Sequence, residues 1–266
     1  MKLKILFVSA NPALDLKLDE EYKAIEQGII ESEYRDYIDI KVKLACEYDN
    51  LMDAVNEEKP DIVHFSGHGE GERGLKFYSP DLENNVEFID AELIGELFET
   101  ANENLKLVVL NSCHSIVQAR EIVKHIDYVI GMNDEIGDEA AITLMSRFYK
   151  SFASDNVTIS GAFKQALNQI KRKFPQEADI PKLLKKEEGL QDIKISDIIG
   201  KKEKEKKQNE ESIANDKGGT NIDVSGDVKG IVSVSGGTVN QTITKKTINA
   251  EKNFENIKND GIMSIN

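Results

Sequence analysis

Short apolar runs alternate with segments of helical period over the first 186 residues of the chain. Six runs rich in β-branched and aliphatic residues predict buried strands at residues 4–9, 38–44, 61–65, 107–111, 128–132 and 180–185. Apolar residues three and four apart predict helices at residues 19–30, 50–58, 90–101, 116–125, 138–153 and 161–173, with Asp49 and Asp90 as caps. This alternation predicts an α/β fold: a three-layer α/β/α sandwich around a mostly parallel six-stranded sheet.

A small hairpin interrupts this alternation after the third strand. Residues 75–78 and 86–89 are short apolar runs, and the turn signal Ser79-Pro80-Asp81 lies between them. We therefore predict an inserted pair of antiparallel strands within a first domain of residues 1–190.

The composition of the chain changes twice beyond this domain. A mixed-charge tract without apolar residues begins at Lys201, so we predict a flexible charged linker over residues 191–218. After it, the glycine-punctuated segment 224–228 recurs loosely at 234–239, which predicts a β-prone tail over residues 219–266. One such copy cannot bury its own apolar face. Self-assembly, contact with an upstream sensor, and a disordered polar tail all remain open for this region.

The charge balance limits the function classes. The 266 residues include 34 Lys and Arg against 48 Asp and Glu, which gives a net charge of −14 and disfavours binding to nucleic acid or an anionic membrane surface. No apolar run approaches the roughly 20 residues of a membrane span, so we expect a cytoplasmic protein. The two cysteines, Cys46 and Cys113, form no disulfide framework and would stay reduced there.

Chemistry-bearing residues follow two of the predicted strands. The third strand ends in Ser66-Gly67-His68-Gly69, and the fourth ends in Asn111-Ser112-Cys113-His114. The carboxyl ends of parallel strands form the edge at which such sheets bind ligands. His68 can transfer a proton near neutral pH and Cys113 can act as a nucleophile, so the pair suits acyl transfer.

Backbone amides near both residues could stabilise an oxyanion. The glycines on either side of His68 allow a sharp turn, which would leave the Gly69 N–H pointing outward. The Cys113 amide lies at the predicted start of a helix and would be the second donor, and the helix amino terminus would favour a thiolate.

These two strand-end motifs resemble the paired signatures of the CHAT branch of caspase-like peptidases. The motifs are HFSGHG at residues 64–69 and LNSCHS at residues 110–115. The resemblance continues in ILFVSANP at residues 5–12, in Leu18-Asp19-Glu20-Glu21, and in the region from Tyr128 to Tyr149, and it covers roughly residues 1–186.

The resemblance implies a caspase-like fold and cysteine endopeptidase activity on protein or peptide substrates. It implies His68 and Cys113 as the catalytic dyad, with the Gly69 and Cys113 amides as the oxyanion hole. It implies no metal and no organic cofactor. The tail resembles adaptor or amyloid-like segments found beside effector domains in bacterial conflict systems, so a role in signalling or antiviral defence is expected.

One position departs from the pattern of many relatives. Those that cut after Arg or Lys carry an acidic residue two positions before the nucleophile, and this chain has Asn111 there. Specificity for a basic residue is therefore not expected. Asn111, His114 and Asp134 are candidate substrate-binding residues. Asp134 or Asp138 could supply a carboxylate from the next loop, although both also suit a solvated acidic loop.

Structural explanations compete with the functional ones. Cys113 could be a buried structural thiol, Cys46 is expected in the core, and His64 is expected to pack or to orient its neighbours. A zinc site from His64, His68, Cys113 and His114 is a weaker alternative, because no close pair of typical ligands supports it.

Two other function classes are alternatives to a peptidase. A catalytically silent signalling module would not need His68 and Cys113 together. A nucleotide-binding domain would need a phosphate loop after the first strand, where the chain has Ser9-Ala10-Asn11-Pro12. The glycines after the third strand are accompanied by Glu70 and Glu72, which would repel a phosphate.

Overall fold

Eight strands form a six-stranded sheet and a separate hairpin in the computed structural model, which describes residues 2–10 and 17–216. The strands are β1 Leu3–Ala10, β2 Ile38–Lys43, β3 Ile62–Gly67, β4 Leu75–Tyr78, β5 Val86–Ile89, β6 Leu107–Asn111, β7 Tyr128–Met132 and β8 Pro181–Lys185. The bounds agree closely with the predicted strands and with the predicted hairpin.

The sheet is mostly parallel, as predicted. Its strand order is β2-β1-β3-β6-β7-β8, and β8 alone runs antiparallel to its neighbour β7. Strands β3 and β6 are adjacent and parallel, with Ser66 opposite Asn111 at their last paired position. The two predicted catalytic motifs therefore leave the same edge of the sheet side by side.

Among the described residues, seven α-helices accompany the sheet. They are α1 Leu18–Ile30, α2 Tyr48–Glu58, α3 Ala91–Glu99, α4 Ile116–Ile122, α5 Asp138–Phe152, α6 Ile159–Lys173 and α7 Ile195–Asp216. Asp90 caps α3 as predicted, because its side chain accepts a hydrogen bond from the Leu93 N–H at 3.0 Å. The predicted cap Asp49 is wrong: α2 begins at Tyr48 after Glu47, so Asp49 lies inside the first turn.

The core has two parts, one on each face of the sheet. In β1, Leu3, Ile5 and Phe7 face a cluster that includes α1, α5 and α6, while Leu6 and Val8 face the cluster that holds α2, α3 and α4. Alternate side chains of a strand point to opposite faces of the sheet. A strand in which both the odd and the even positions are apolar is therefore buried on both sides. This confirms the predicted three-layer sandwich.

A helix occupies most of the segment predicted as a flexible linker. The first turns of α7 pack onto the domain through the buried residues Ile195, Ile198 and Ile199, and Lys202 pairs with the buried carboxylate of Asp61. Lys and Glu are good helix formers, so a mixed-charge tract that cannot build a core can still be helical. The predicted tail, residues 219–266, lies outside the described residues, and the predicted domain boundaries stay predictions.

Candidate active site

One cavity at the carboxyl edge of the sheet is lined by both His68 and Cys113. His68 directly follows β3, and Cys113 lies two residues beyond β6; both side chains are half-buried. The cavity has a volume of about 50 Å³, which exceeds the roughly 10–15 Å³ that one water requires. The structure thus brings the two predicted catalytic side chains to one cavity.

Cys113 is held as a thiol. Burial raises the pKa of this thiol above its ordinary value, the carboxylates of Glu135 and Asp138 raise it further, and a backbone hydrogen bond at Ile136 acts in the opposite direction. The sequence led us to expect a thiolate favoured by a helix amino terminus. The helix begins at Ile116 after its cap Ser115, close to the predicted start, but burial has the larger effect and favours the thiol.

The backbone after β3 is packed tightly against the nucleophile. A methyl group placed on Gly69 would lie 2.3 Å from the Cys113 carbonyl oxygen, so only glycine fits here. The His68 carbonyl accepts a hydrogen bond from the Lys76 N–H at 3.0 Å, and the Gln118 side chain donates to the Gly71 carbonyl at 2.7 Å. These contacts hold the loop that carries the predicted oxyanion donor.

A buried carboxylate that the sequence did not suggest lies beside this pair. Glu21 of α1 is 3% exposed and lines the same cavity as Cys113. It accepts hydrogen bonds from Ser66 Oγ at 2.5 Å and from Asn111 Nδ2 at 2.7 Å, and its Oε1 lies 2.8 Å from His64 Nε2. His64 Nδ1 in turn lies 3.0 Å from the Tyr149 hydroxyl. His64 therefore orients its neighbours within the core, one of the two roles predicted for it.

Two polar atoms on the same cavity lack partners. Asn111 Oδ1 and Ser112 Oγ are buried and have no hydrogen-bond partner among the described residues. Both residues line the cavity with Glu21. Buried polar groups are nearly always satisfied in folded proteins, so these two atoms are available to a bound group.

The other candidate residues lie farther out. His114 has a left-handed backbone (φ 53°) and lines a neighbouring groove that also includes Gly69, Lys76 and Cys113. Asp134 does not line either of these two spaces; its side chain is 69% exposed and lies 3.7 Å from His114 Nδ1. Asp138 lines the cavity itself. Cys46 is 2% exposed, as expected for the core, and burial raises its pKa to about 11.

The described residues also bear on metal binding and on membrane insertion. Within residues 2–10 and 17–216, no group of three or more His, Cys, Asp or Glu side chains is placed to hold a metal ion. No helix of these residues has the length and apolar character that a bilayer span requires.

Comparisons with known proteins match this chain to one family. A family model for the CHAT domain matches residues 10–182. Over 204 residues the chain is 30% identical to a Roc-COR-CHAT protease from an unknown prokaryotic organism, with 70% of this chain and 19% of the relative covered. Over 181 residues it is 27% identical to a probable protease of Gillisia limnaea, with 66% of this chain and 32% of the relative covered.

A solved structure shares the fold. The X-ray structure of a secreted C11 cysteine protease from Bacteroides thetaiotaomicron, in complex with an irreversible peptide inhibitor, has a TM-score of 0.50 and 13% identity, and the match covers 70% of this chain and 67% of the other.

The curated relatives are much longer than the chain, which spans about a fifth of one and a third of the other. Since the family model spans both strand-end motifs and most of the chain, the chain belongs to the CHAT domain family.

Proposed function

We propose that this protein is a cysteine endopeptidase in which Cys113 is the nucleophile and His68 is the acid and base. The observation that carries the proposal is the placement of both side chains in one cavity, at the adjacent ends of β3 and β6. A thiol and an imidazole at such an edge are the groups that acyl transfer from a peptide requires.

The chemistry follows from the resting state of the site. The raised pKa favours the thiol form of Cys113, and in the proposed mechanism the thiol proton passes first to His68. The thiolate attacks the peptide carbonyl carbon, and the Gly69 and Cys113 amides donate hydrogen bonds to the oxyanion. As the carbon–nitrogen bond breaks, the imidazolium returns its proton to the leaving amine. Water then hydrolyses the thioester and releases the acid and the free thiol.

The relatives support this reading. Both curated relatives carry the word protease in their names, and the structural neighbour is named as a cysteine protease. Because the chain spans a third or less of the curated relatives, the activity of those whole proteins is carried over to this chain as part of the proposal.

A peptide library with mass-spectrometric detection tests the proposal. We expect cleavage by the wild type and none by Cys113→Ala. The matched control is Cys46→Ala, which removes the other thiol, located in the core at 2% exposure. Cleavage that persists in Cys113→Ala would exclude Cys113 as the nucleophile. Absence of cleavage by the wild type under every activating condition would leave the silent signalling module as the better interpretation.

We also propose that residues 219–266 regulate the peptidase in the cytoplasm, by self-assembly or by contact with an upstream sensor in a bacterial signalling or defence system. The test is a truncation after Asp216, which retains the Lys202–Asp61 pair and the buried start of α7. A truncated protein with the same cleavage rate and the same oligomeric state as the full chain would exclude this regulation.

A further inference from the structure

Exposed apolar side chains are concentrated along β2, the outermost strand at one end of the sheet. Among the described residues β2 pairs only with β1, so the backbone groups on its outer side face no partner strand there. Seven large apolar side chains are exposed in the described part of the chain. Four of them lie in β2 or in the segments next to it: Ile30, Tyr37, Val42 and Leu44. An open strand edge with apolar side chains favours the addition of another strand.

The two faces of β2 have opposite character. Ile38 and Ile40 lie on the face that α1 covers, where Ile38 belongs to the buried core and Ile40 packs against it. Val42 has the same parity, so it lies on the same face, and it is 37% exposed. The other face carries Asp39 and Lys41, whose charged groups are 3.7 Å apart and partly exposed to solvent. One face of this edge is therefore apolar and the other is charged.

These side chains determine how a second copy of β2 can pair with the first. Two identical strands related by a twofold axis perpendicular to the sheet run antiparallel, and residues opposite each other lie on the same face of the joined sheet. The axis therefore passes through one residue and its own copy. With the axis at Ile40, Asp39 lies opposite Lys41 twice and Ile38 lies opposite Val42 twice.

The neighbouring registers bring like charges together. An axis at Lys41 places two lysines opposite each other, and an axis at Asp39 places two aspartates opposite each other. An axis at Val42 places Lys41 opposite Lys43. Like charges directly opposite destabilise a strand pair, whereas opposite charges stabilise it. Among these four positions of the axis, Ile40 alone gives no like-charge pair.

We infer that β2 is a self-association surface, at which two copies of this chain join their sheets through an antiparallel strand pair centred on Ile40. In this dimer Ile38, Ile40 and Val42 of both copies form a continuous apolar stripe on one face. On the other face, Asp39 and Lys41 form two ion pairs across the axis. The candidate active site follows β3 and β6, and β1 lies between these strands and the joined edge. The inference does not depend on the peptidase activity.

Engineered cysteines test the register in the full chain, in a Cys113→Ala background that removes the half-buried native thiol. Opposite residues of an antiparallel pair have Cα atoms about 4.5–5.5 Å apart, a separation that a disulfide can bridge. Ile40→Cys should therefore give a disulfide-linked dimer under mild oxidation, seen on a non-reducing gel. Val42→Cys is the matched control, because its two copies would lie four residues apart along the strands, about 14 Å.

Charge reversal on the exposed face is a second test, and it leaves the core unchanged. Lys41→Asp places two carboxylates opposite each other at both equivalent positions, so the dimer dissociation constant should rise by about tenfold to a hundredfold. Adding Asp39→Lys recreates two opposite-charge pairs and should restore the dimer. The control Lys23→Asp makes the same change in net charge on exposed α1 and should leave the constant unchanged.

Sedimentation equilibrium measures these dissociation constants. The net charge of −14 opposes association at low salt, so the measurements are made at physiological ionic strength. Thermal unfolding establishes whether Ile40→Cys is folded. Should it not fold, the charge-reversal variants decide the question by themselves.

Every outcome decides for or against the inference. A disulfide at position 40 and none at 42, together with loss and recovery of the dimer in the charge variants, supports it. Equal cross-linking at both positions overturns it, and so does a wild type that stays monomeric at the highest concentration measured. Association that is insensitive to Lys41→Asp, or that Asp39→Lys does not restore, places the contact elsewhere in the chain and also overturns it.

Discussion

The close approach of Gly69 to the nucleophile loop allows a sharp test by one added methyl group. The perturbation is Gly69→Ala. Gly69 does not have a positive φ, so alanine brings no backbone penalty of that kind and the effect is steric. The added Cβ would lie 2.3 Å from the Cys113 carbonyl oxygen, a backbone atom that cannot rotate away.

The size of the displacement follows from ordinary contact distances. Real Cβ contacts essentially never fall below 3.0 Å and become ordinary at 3.4 Å, so the two segments must separate by 3.0 − 2.3 = 0.7 Å to 3.4 − 2.3 = 1.1 Å. A misplacement of about 1 Å can reduce the rate of catalysis by about a hundredfold. The accompanying loss of stability is expected to be about 1–3 kcal/mol, as for other overpacked sites.

The assay measures kcat/KM on the best peptide from the library, together with the free energy of unfolding in urea. Gly200→Ala is the matched control, because a methyl group at that position meets no atom within 4 Å. We expect a large loss of kcat/KM in Gly69→Ala and none in the control. A Gly69→Ala enzyme that retains kcat/KM within twofold of the wild type would refute the proposed geometry of the oxyanion hole.

Three further predictions concern the thiol, the buried network and a helix cap. The rate at which iodoacetamide alkylates Cys113 should keep rising with pH beyond the ordinary thiol pKa. Glu135→Gln should shift this pH profile to lower pH, because one carboxylate that raises the pKa is removed. A plateau of the rate below the ordinary thiol pKa would contradict the raised pKa. Tyr149→Phe leaves the buried His64 ring without its hydrogen-bond partner at 3.0 Å, so it should lower the free energy of unfolding in urea by about 1–3 kcal/mol. An unchanged midpoint of urea unfolding would argue against this hydrogen bond. Asp90→Ala should lower the free energy of unfolding by about 1 kcal/mol in the same assay, because α3 loses its cap. A variant as stable as the wild type would show that the cap contributes nothing.

Much of the sheet could be predicted from the sequence because its strands are buried on both faces. Runs such as residues 107–111 are apolar at every position but the last, which separates them clearly from the amphipathic helices between them. The adjacency of β3 and β6 did not follow from periodicity alone. It was expected because the two motifs follow successive strands of a predicted parallel sheet, and the topology places these strands side by side.

Glu21 was predicted only as part of the motif Leu18-Asp19-Glu20-Glu21, without a role of its own. A signal for it existed: Glu21 lies on the same helix face as Ile25, Gly28 and Ile29, all buried. An acidic residue on the apolar face of an amphipathic helix indicates a buried partner. Its partners His64, Ser66 and Asn111 are 43 to 90 residues away, so no local pattern could identify them.

The bonds to Glu21 also have an evolutionary consequence. Replacing Glu21 alone by an apolar residue would leave His64, Ser66 and Asn111 with buried donors that find no acceptor, at a cost that accumulates with each. Lineages that replace Glu21 should therefore change its three donors as well. Among natural relatives, these four positions are expected to vary together.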